Sequence, residues 1–186
     1  MVAFQQGNSE AFDQILYKYQ KPIVNFIYKI VNNSAEAEEL AQEVFLRIYR
    51  ARHTYEPRAR FAAWIYRIAT NLSLREANRK RRMHFWQPSD SSYADTPDKE
   101  EIFRDPVPDA EKTLITTELG RVVRHAIRSL PRNEKVALVL RRYEDLSYRE
   151  IAEIMRCTEA AVKTYIHRGK LHVRELILPY LQKGSV

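Results

Sequence analysis

The sequence predicts an all-α protein: two small helical domains joined by a flexible acidic tether. Three observations lead there. Apolar residues recur at steps of three and four nearly throughout, no stretch alternates apolar and polar as a half-buried strand would, and only 4 of the 186 residues are glycine. The exception to helical periodicity lies between Phe85 and Thr113, where four of the eight prolines (Pro88, Pro97, Pro106, Pro108) fall amid Ser, Asp and Thr. Such a composition makes a linker rather than a helix. The boundaries predicted on this basis are a domain over 1–84, a tether over 85–113 and a domain over 114–186.

A hydrophobic content of 45% suffices for cores in domains of this size. Lysine and arginine number 31 against 24 aspartates and glutamates, for a net charge of +7 and a pI near 9.5, which favours a polyanionic partner. The charge is unevenly spread. Gln87 to Lys112 holds eight acids against Lys99, Arg104 and Lys112, a local net of minus five, whereas Arg75 to Arg82 holds five bases against Glu76. Cys157 stands alone, so no internal disulfide and no thiolate zinc site can form; a reducing cytosol and a small buried hydrophobe are the expectations. No run approaches the roughly 20 apolar residues of a membrane span, and the N-terminus lacks the charged start and apolar core of a signal peptide. A cytoplasmic protein without membrane insertion is expected.

In the first domain the periodicity predicts helices at about Ser9 to Tyr19 and Pro22 to Val31. A third opens at Asn33, with Glu36 at capping-box spacing. Ala37, Leu40, Ala41, Val44, Phe45 and Ile48 form its core stripe, which leaves Glu39, Gln42, Leu46 and Tyr49 on the opposite face. An acidic face with an exposed leucine and tyrosine, in a basic protein, suits a protein contact. A fourth helix, about Arg60 to Arg79, turns Phe61, Trp64, Ile65, Ile68 and Leu72 inward by the same periodicity. Its other side is expected to offer Tyr66, Arg67, Thr70, Asn71, Leu74 and Asn78, side chains able to bond or stack on bases and phosphates. Arg79 to Arg82 then add phosphate-binding charge.

In the second domain Leu119, Val122, Val123, Ala126, Ile127 and Leu130 form a stripe that Pro131 interrupts, and Val136, Val139, Leu140 and Tyr143 form the next. Ser147 and Glu150 make a capping box for a short helix with Ile151, Ala152, Ile154 and Met155 inward. A tight break follows at Arg156 and Cys157, and Thr158 can cap another helix. Short helix, tight turn and capped second helix is a helix-turn-helix arrangement, whose second helix enters the DNA major groove. With Val162 and Ile166 spaced for the core, Ala160, Ala161, Lys163, Thr164, His167 and Arg168 project outward. Small residues permit close approach, while Lys, Arg and Thr can bond base edges or phosphates. His167 and His172 lie about 140° apart around a helix, and no neighbouring carboxylate completes a metal set; no metal and no cofactor is expected.

Three of these segments resemble the sigma-seventy family, specifically its two-domain extracytoplasmic function group. SAEAEELAQEVFLRIYR is similar to the family's polymerase-binding helix, and RFAAWIYRIATNL to its promoter-melting and minus-ten-reading helix. LPRNEKVALVLRRYEDLSYREIAEIM followed by CTEAAVKTYIHRGK is similar to its minus-thirty-five-reading domain. Their order, with an acidic tether between, is what makes the resemblance specific. Arg156, Ala161 and Tyr165 depart from it, standing where family members often have Gly, Thr and Arg.

The resemblance implies a sigma factor that binds core RNA polymerase and directs promoter recognition and opening, with region 2 functions in 1–84 and region 4 functions in 114–186. Glu39, Gln42, Glu43 and Leu46 would contact the polymerase clamp helices. Arg58, Arg60, Tyr66, Arg67, Thr70, Asn71, Asn78 and Arg79 would hold minus-ten DNA, with a flipped base captured near the loop before Trp64. Ser147, Tyr148, Ala160, Ala161, Lys163, Thr164, His167 and Arg168 would meet the minus-thirty-five element. An anti-sigma factor is a further implied partner; an obligate homo-oligomer is not. A tether of 29 residues reaches at most about 95 to 105 Å, enough for promoter elements about 70 Å apart, and its acidity suits a channel made to hold RNA. A conventional helix-turn-helix repressor or activator would need a dimer surface or ligand-binding domain, and a nucleic-acid enzyme would need clustered carboxylates, a metal set or a phosphate loop. None is evident, so no catalytic residue is assigned.

Overall fold

Helical periodicity becomes eight α-helices and one 3-10 turn among the described residues of the computed structural model, which are 1–57, 59–86 and 118–183. The chain divides into two compact units, Met1–Phe103 and Arg104–Val186. The predicted tether, from residue 87 onward, lies outside the described residues. Phe85 and Trp86, expected to open it, still belong to a helix.

The first unit holds α1 (Val2–Gln5), α2 (Glu10–Val31), α3 (Ser34–Arg50), a 3-10 turn (Ala51–His53) and α4 (Phe61–Trp86). Two helices expected on either side of Pro22 are in fact one, α2. Proline removes one intrahelical donor, but unbroken helix keeps Ile15 in phase with the buried Ile23, Phe26, Ile27 and Ile30, and that burial outweighs the missing bond. Helix α2 ends at Asn32, which takes the left-handed conformation (φ 58°) that asparagine tolerates. Asn33 then caps α3 by accepting from the Glu36 N–H at 3.0 Å. The Glu36 carboxylate reaches Lys80 on α4 at 2.6 Å. Ala37, Ala41, Val44, Phe45 and Ile48 are buried as predicted, with Leu40 at the margin.

Helix α4 packs on both α2 and α3. Its buried arc is centred away from the predicted one: Ala63, Ile65, Tyr66, Ala69, Thr70, Leu72 and Ser73 are buried, while Phe61, Trp64 and Ile68 are only half-buried. Small residues at 63, 69 and 73 let two neighbouring helices approach, and the Ser73 hydroxyl is satisfied by the Ala69 carbonyl at 2.8 Å.

The second unit comprises α5 (Glu118–Ser129), α6 (Arg132–Tyr143), α7 (Tyr148–Met155) and α8 (Glu159–Lys183). Pro131 separates α5 from α6 as the N-cap of the latter. Ala126, Leu130, Val136, Val139, Leu140, Leu146, Ile151, Ile154, Val162 and Ile166 form the core. Tyr143, predicted to share the inward stripe of α6, is the last residue of that helix and is 39% exposed. Gly169 of α8 faces Glu134 of α6, where an added Cβ would make an ordinary van der Waals contact with Glu134 Cβ at 3.5 Å. No described helix is long and apolar enough to cross a membrane.

Candidate nucleic-acid interface

The helix-turn-helix is built by three caps. The Ser147 hydroxyl accepts from the Glu150 N–H at 3.2 Å and donates to the Glu150 carboxylate at 2.7 Å, which in turn accepts from the Ser147 N–H at 2.9 Å. Arg156 closes α7 in the left-handed conformation (φ 53°), a position where glycine carries no Cβ penalty. Thr158 Oγ1 accepts from the Ala161 N–H at 3.2 Å and starts α8. With Val162 and Ile166 buried against the core, the geometry leaves Ala160, Lys163, Thr164, His167 and Arg168 exposed and Ala161 half-buried. One face of the first turns of α8 thus presents two cations, an imidazole and a hydroxyl. The Thr164 hydroxyl donates to the Ala160 carbonyl at 2.9 Å, so toward DNA it can only accept.

Two predicted residues at the start of α7 differ in use. Ser147 is exposed, yet its hydroxyl is committed to the capping box. Tyr148 is half-buried, and two cations approach its ring: the Arg141 guanidinium carbon at 5.5 Å and Lys163 Nζ at 5.9 Å from the centroid. Arg141 also donates to the Leu146 carbonyl at 3.0 Å. Arg141 was not among the expected DNA-facing residues; its place in RRYEDLSY shows a base directly before the helix-turn-helix, and only the fold brings it to the ring that Lys163 also approaches.

The two histidines part company in the fold. His167 faces outward, whereas His172 Nδ1 lies 2.7 Å from Glu134 Oε2. Glu134 reaches His172 from α6, 38 positions away, a proximity no local spacing reveals; it brings one carboxylate to one histidine, not a ligand set. Among the described residues no group of three metal-ligating side chains converges.

In the first unit, Arg60, Arg67, Asn71 and Arg79 are exposed and Asn78 is half-buried. Arg58 lies outside the described residues. Tyr66 and Thr70, expected on the outer side, are 3% and 1% exposed. The Tyr66 ring meets Phe26 edge-on at 5.2 Å, and the buried Thr70 Oγ1 has no hydrogen-bond partner. Both belong to the arc that α4 turns toward α2 and α3, so neither is available to DNA in this conformation. Arg79 is held by Glu76 at 2.6 to 3.0 Å and Lys80 by Glu36. Two of the five bases that end α4 are therefore already paired with acids.

Around the start of α4, Tyr55, Phe61, Trp64 and Tyr19 form an aromatic cluster with centroid separations of 4.9 to 6.2 Å. Burial pushes the Tyr19 and Tyr55 phenols up from their ordinary pKa, with Arg60 opposing this at Tyr19. Trp64, predicted as core, is half-buried at the edge of this cluster.

A second surface lies on the far side of α3. Glu39, Gln42, Leu46 and Tyr49 are exposed as predicted, Leu46 by 49% and Tyr49 by 52%. Glu43 is half-buried and bonded to Arg47 at 2.7 Å, which holds its carboxyl below the usual range against some opposing desolvation. Between α2 and α3 runs a groove of about 930 Å³ whose lining includes Leu16, Tyr17, Val24, Gln42, Phe45 and Leu46. Asn25 also lines it, and its Oδ1 is buried without a partner. Tyr17, at 93% exposure, was missed in the sequence because it falls off the buried stripe of α2.

Comparison with known proteins bears on both surfaces. The family model described as sigma-70 region 2 matches residues 16–83, and that described as sigma-70, region 4 matches residues 120–173. The RNA polymerase sigma-H factor of Pseudomonas aeruginosa is 31% identical over 97% of this chain and 93% of its own length. The ECF RNA polymerase sigma factor SigW of Bacillus subtilis is 30% identical over 92% of this chain and 91% of its own. Among solved structures, the sigma factor RpoE of Bartonella quintana, in complex with the anti-sigma factor NepR, superposes with a TM-score of 0.69 at 18% identity, covering 90% of this chain and 97% of that one. CnrH, in complex with the cytosolic domain of CnrY, gives 0.63 at 19% identity over 98% and 94%.

Proposed function

The chain belongs to the sigma-70 family, in its extracytoplasmic function group, and is an alternative sigma factor for transcription initiation; from that premise we propose which surfaces carry each step. Lys163, Thr164, His167 and Arg168 read the minus-thirty-five element from the major groove, with Ala160 and Ala161 allowing close approach and Tyr148 supporting Lys163. The observation that carries this assignment is their shared exposure on one face of α8 behind a fully capped turn. Arg60, Arg67, Asn71, Asn78 and Arg79 serve the minus-ten strand; Tyr66 and Thr70 are left out of the set because they are core. Glu39, Gln42, Glu43 and Leu46 dock on core polymerase beside the α2–α3 groove.

The protein supplies no bond-making step. Opening follows because unpaired DNA is bound better than duplex, a shift between states that differential affinity alone can drive. Residues 1–84, 85–113 and 114–186 act as minus-ten domain, tether and minus-thirty-five domain in the cytoplasm. An anti-sigma protein is the regulatory partner, by analogy with the complex of RpoE with the anti-sigma factor NepR.

Transcription from a library of promoters with core polymerase tests the reading. The wild-type chain should select a bipartite promoter, and Arg168→Ala should weaken selection by about 1 to 3 kcal/mol and relax preference at one minus-thirty-five position. An equal loss on every sequence would make Arg168 a phosphate contact. No selected promoter at all, with tight binding of a palindrome by the free chain, would favour a conventional repressor.

A further inference from the structure

The N-terminal turn touches the loop that leads into α4. Gln5 Nε2 donates to the Tyr55 carbonyl at 3.2 Å across 50 positions of sequence. Phe4, 2% exposed, anchors the turn from which Gln5 reaches. Its ring stacks on Phe12 at 5.0 Å, meets Tyr49 at 5.5 Å and lies under the Arg52 guanidinium at 5.2 Å. The turn is thus fastened to α2, to the end of α3 and to the 3-10 turn. Four residues could not make a stable helix alone.

The Tyr55 side chain continues the connection. It is 7% exposed, and its ring meets Trp64 edge-on at 4.9 Å and Phe61 at 6.2 Å. Upstream, the 3-10 turn closes with the Thr54 N–H on the Ala51 carbonyl, and downstream α4 begins with the Trp64 N–H on the Arg60 carbonyl. Gln5 grips the backbone between these two fixed points. The bonded carbonyl belongs to the residue whose ring packs against Trp64.

We infer that Gln5 is a positioning residue for promoter opening: through the Tyr55 carbonyl it holds Tyr55 and Trp64 in the arrangement that receives unpaired minus-ten DNA. This rests on the assignment of Arg60, the residue before α4, to the minus-ten strand in the proposed function. The bond Gln5 makes is to the Tyr55 carbonyl and not to the α3 residues assigned to polymerase, so its loss should separate two properties that a general weakening of the fold would lower together.

The experiment uses the full chain with core polymerase and measures core affinity by titration and strand opening by a fluorescent base at the minus-ten element. Gln5→Ala should keep core affinity within about twofold while lowering open-complex formation about three- to tenfold, the range one net hydrogen bond supplies. Gln5→Glu should behave like Gln5→Ala, since it sets a carboxylate against a carbonyl. Gln5→Lys, which keeps a donor on a flexible stem, should recover most of the opening. Wild-type opening in both Gln5→Ala and Gln5→Glu would overturn the inference, and so would an equal fall in core affinity and opening. If wild type with core opened no promoter, the functional assignment itself would fail, and the inference with it.

Discussion

Lys135 carries a charge into a place that disfavours it. The residue is 7% exposed, and its Nζ donates to the Arg128 carbonyl at the end of α5 at 2.5 Å. Burial foremost, then the neighbouring charges of Arg128 and Arg132, pull its pKa down from 10.5 to about 8. Between these values the unfolded chain binds more protons than the folded one, so stability rises with pH across that window; below about 8 the folded state bears the whole cost of the charged amine. Lys135→Met should flatten this part of the profile. The expected difference from wild type changes on the order of 1 to 3 kcal/mol between pH 7 and pH 10.5, read by chemical denaturation at several pH values. Parallel profiles would refute the account. In the sequence Lys135 was simply one base on a helix, because only the packing of α5, α6 and α8 shows that its ammonium is enclosed.

At the scale of elements, α3 shows how far periodicity reaches. One face is filled by Ala37, Ala41, Val44, Phe45 and Ile48, and the other leaves Leu46 and Tyr49 about half exposed, an apolar surface that a free helix has no reason to display. Changing Gln42 and Leu46 together to Arg should therefore weaken binding to core polymerase at least tenfold, since buried arginines would face the partner unpaired, while helix content and thermal midpoint stay near wild type. Unaltered affinity in a pull-down titration would remove α3 from the interface. The inward and outward faces of α3 were both legible because it is buried on one side only. Helix α4 was legible in its start but neither in its length, since it runs on to Trp86, nor in its rotation. It packs on α2 and α3 together, so its buried arc is wide, and Tyr66 and Thr70, polar enough to pass for surface residues, are drawn in. Pro22 misled in the opposite sense: a local breaker was overridden by long-range packing along α2.

For the molecule as a whole, two modules of opposite duty share one chain whose predicted tether of 29 residues raises effective concentration little unless a scaffold fixes their spacing. The free protein should consequently bind duplex promoter poorly. Footprinting with a reporter of strand opening should show protection and melting with core polymerase plus this chain, and neither with the chain alone at the same concentration; tight sequence-specific protection by the free chain would contradict this. The sequence by itself determined the all-helical class, the order of the segments, the caps at Asn33, Ser147 and Thr158, and the outward set from Ala160 to Arg168. These features rest on local backbone chemistry and on 3.6-residue periodicity, both written in consecutive residues. Tertiary structure alone decided the burial of Tyr66 and Thr70, the meeting of His172 with Glu134, the enclosure of Lys135 and the grip of Gln5 on Tyr55. Each depends on which helix lies against which, and pairs such as residues 5 and 55 or 134 and 172 become neighbours only once long-range burial has fixed the packing.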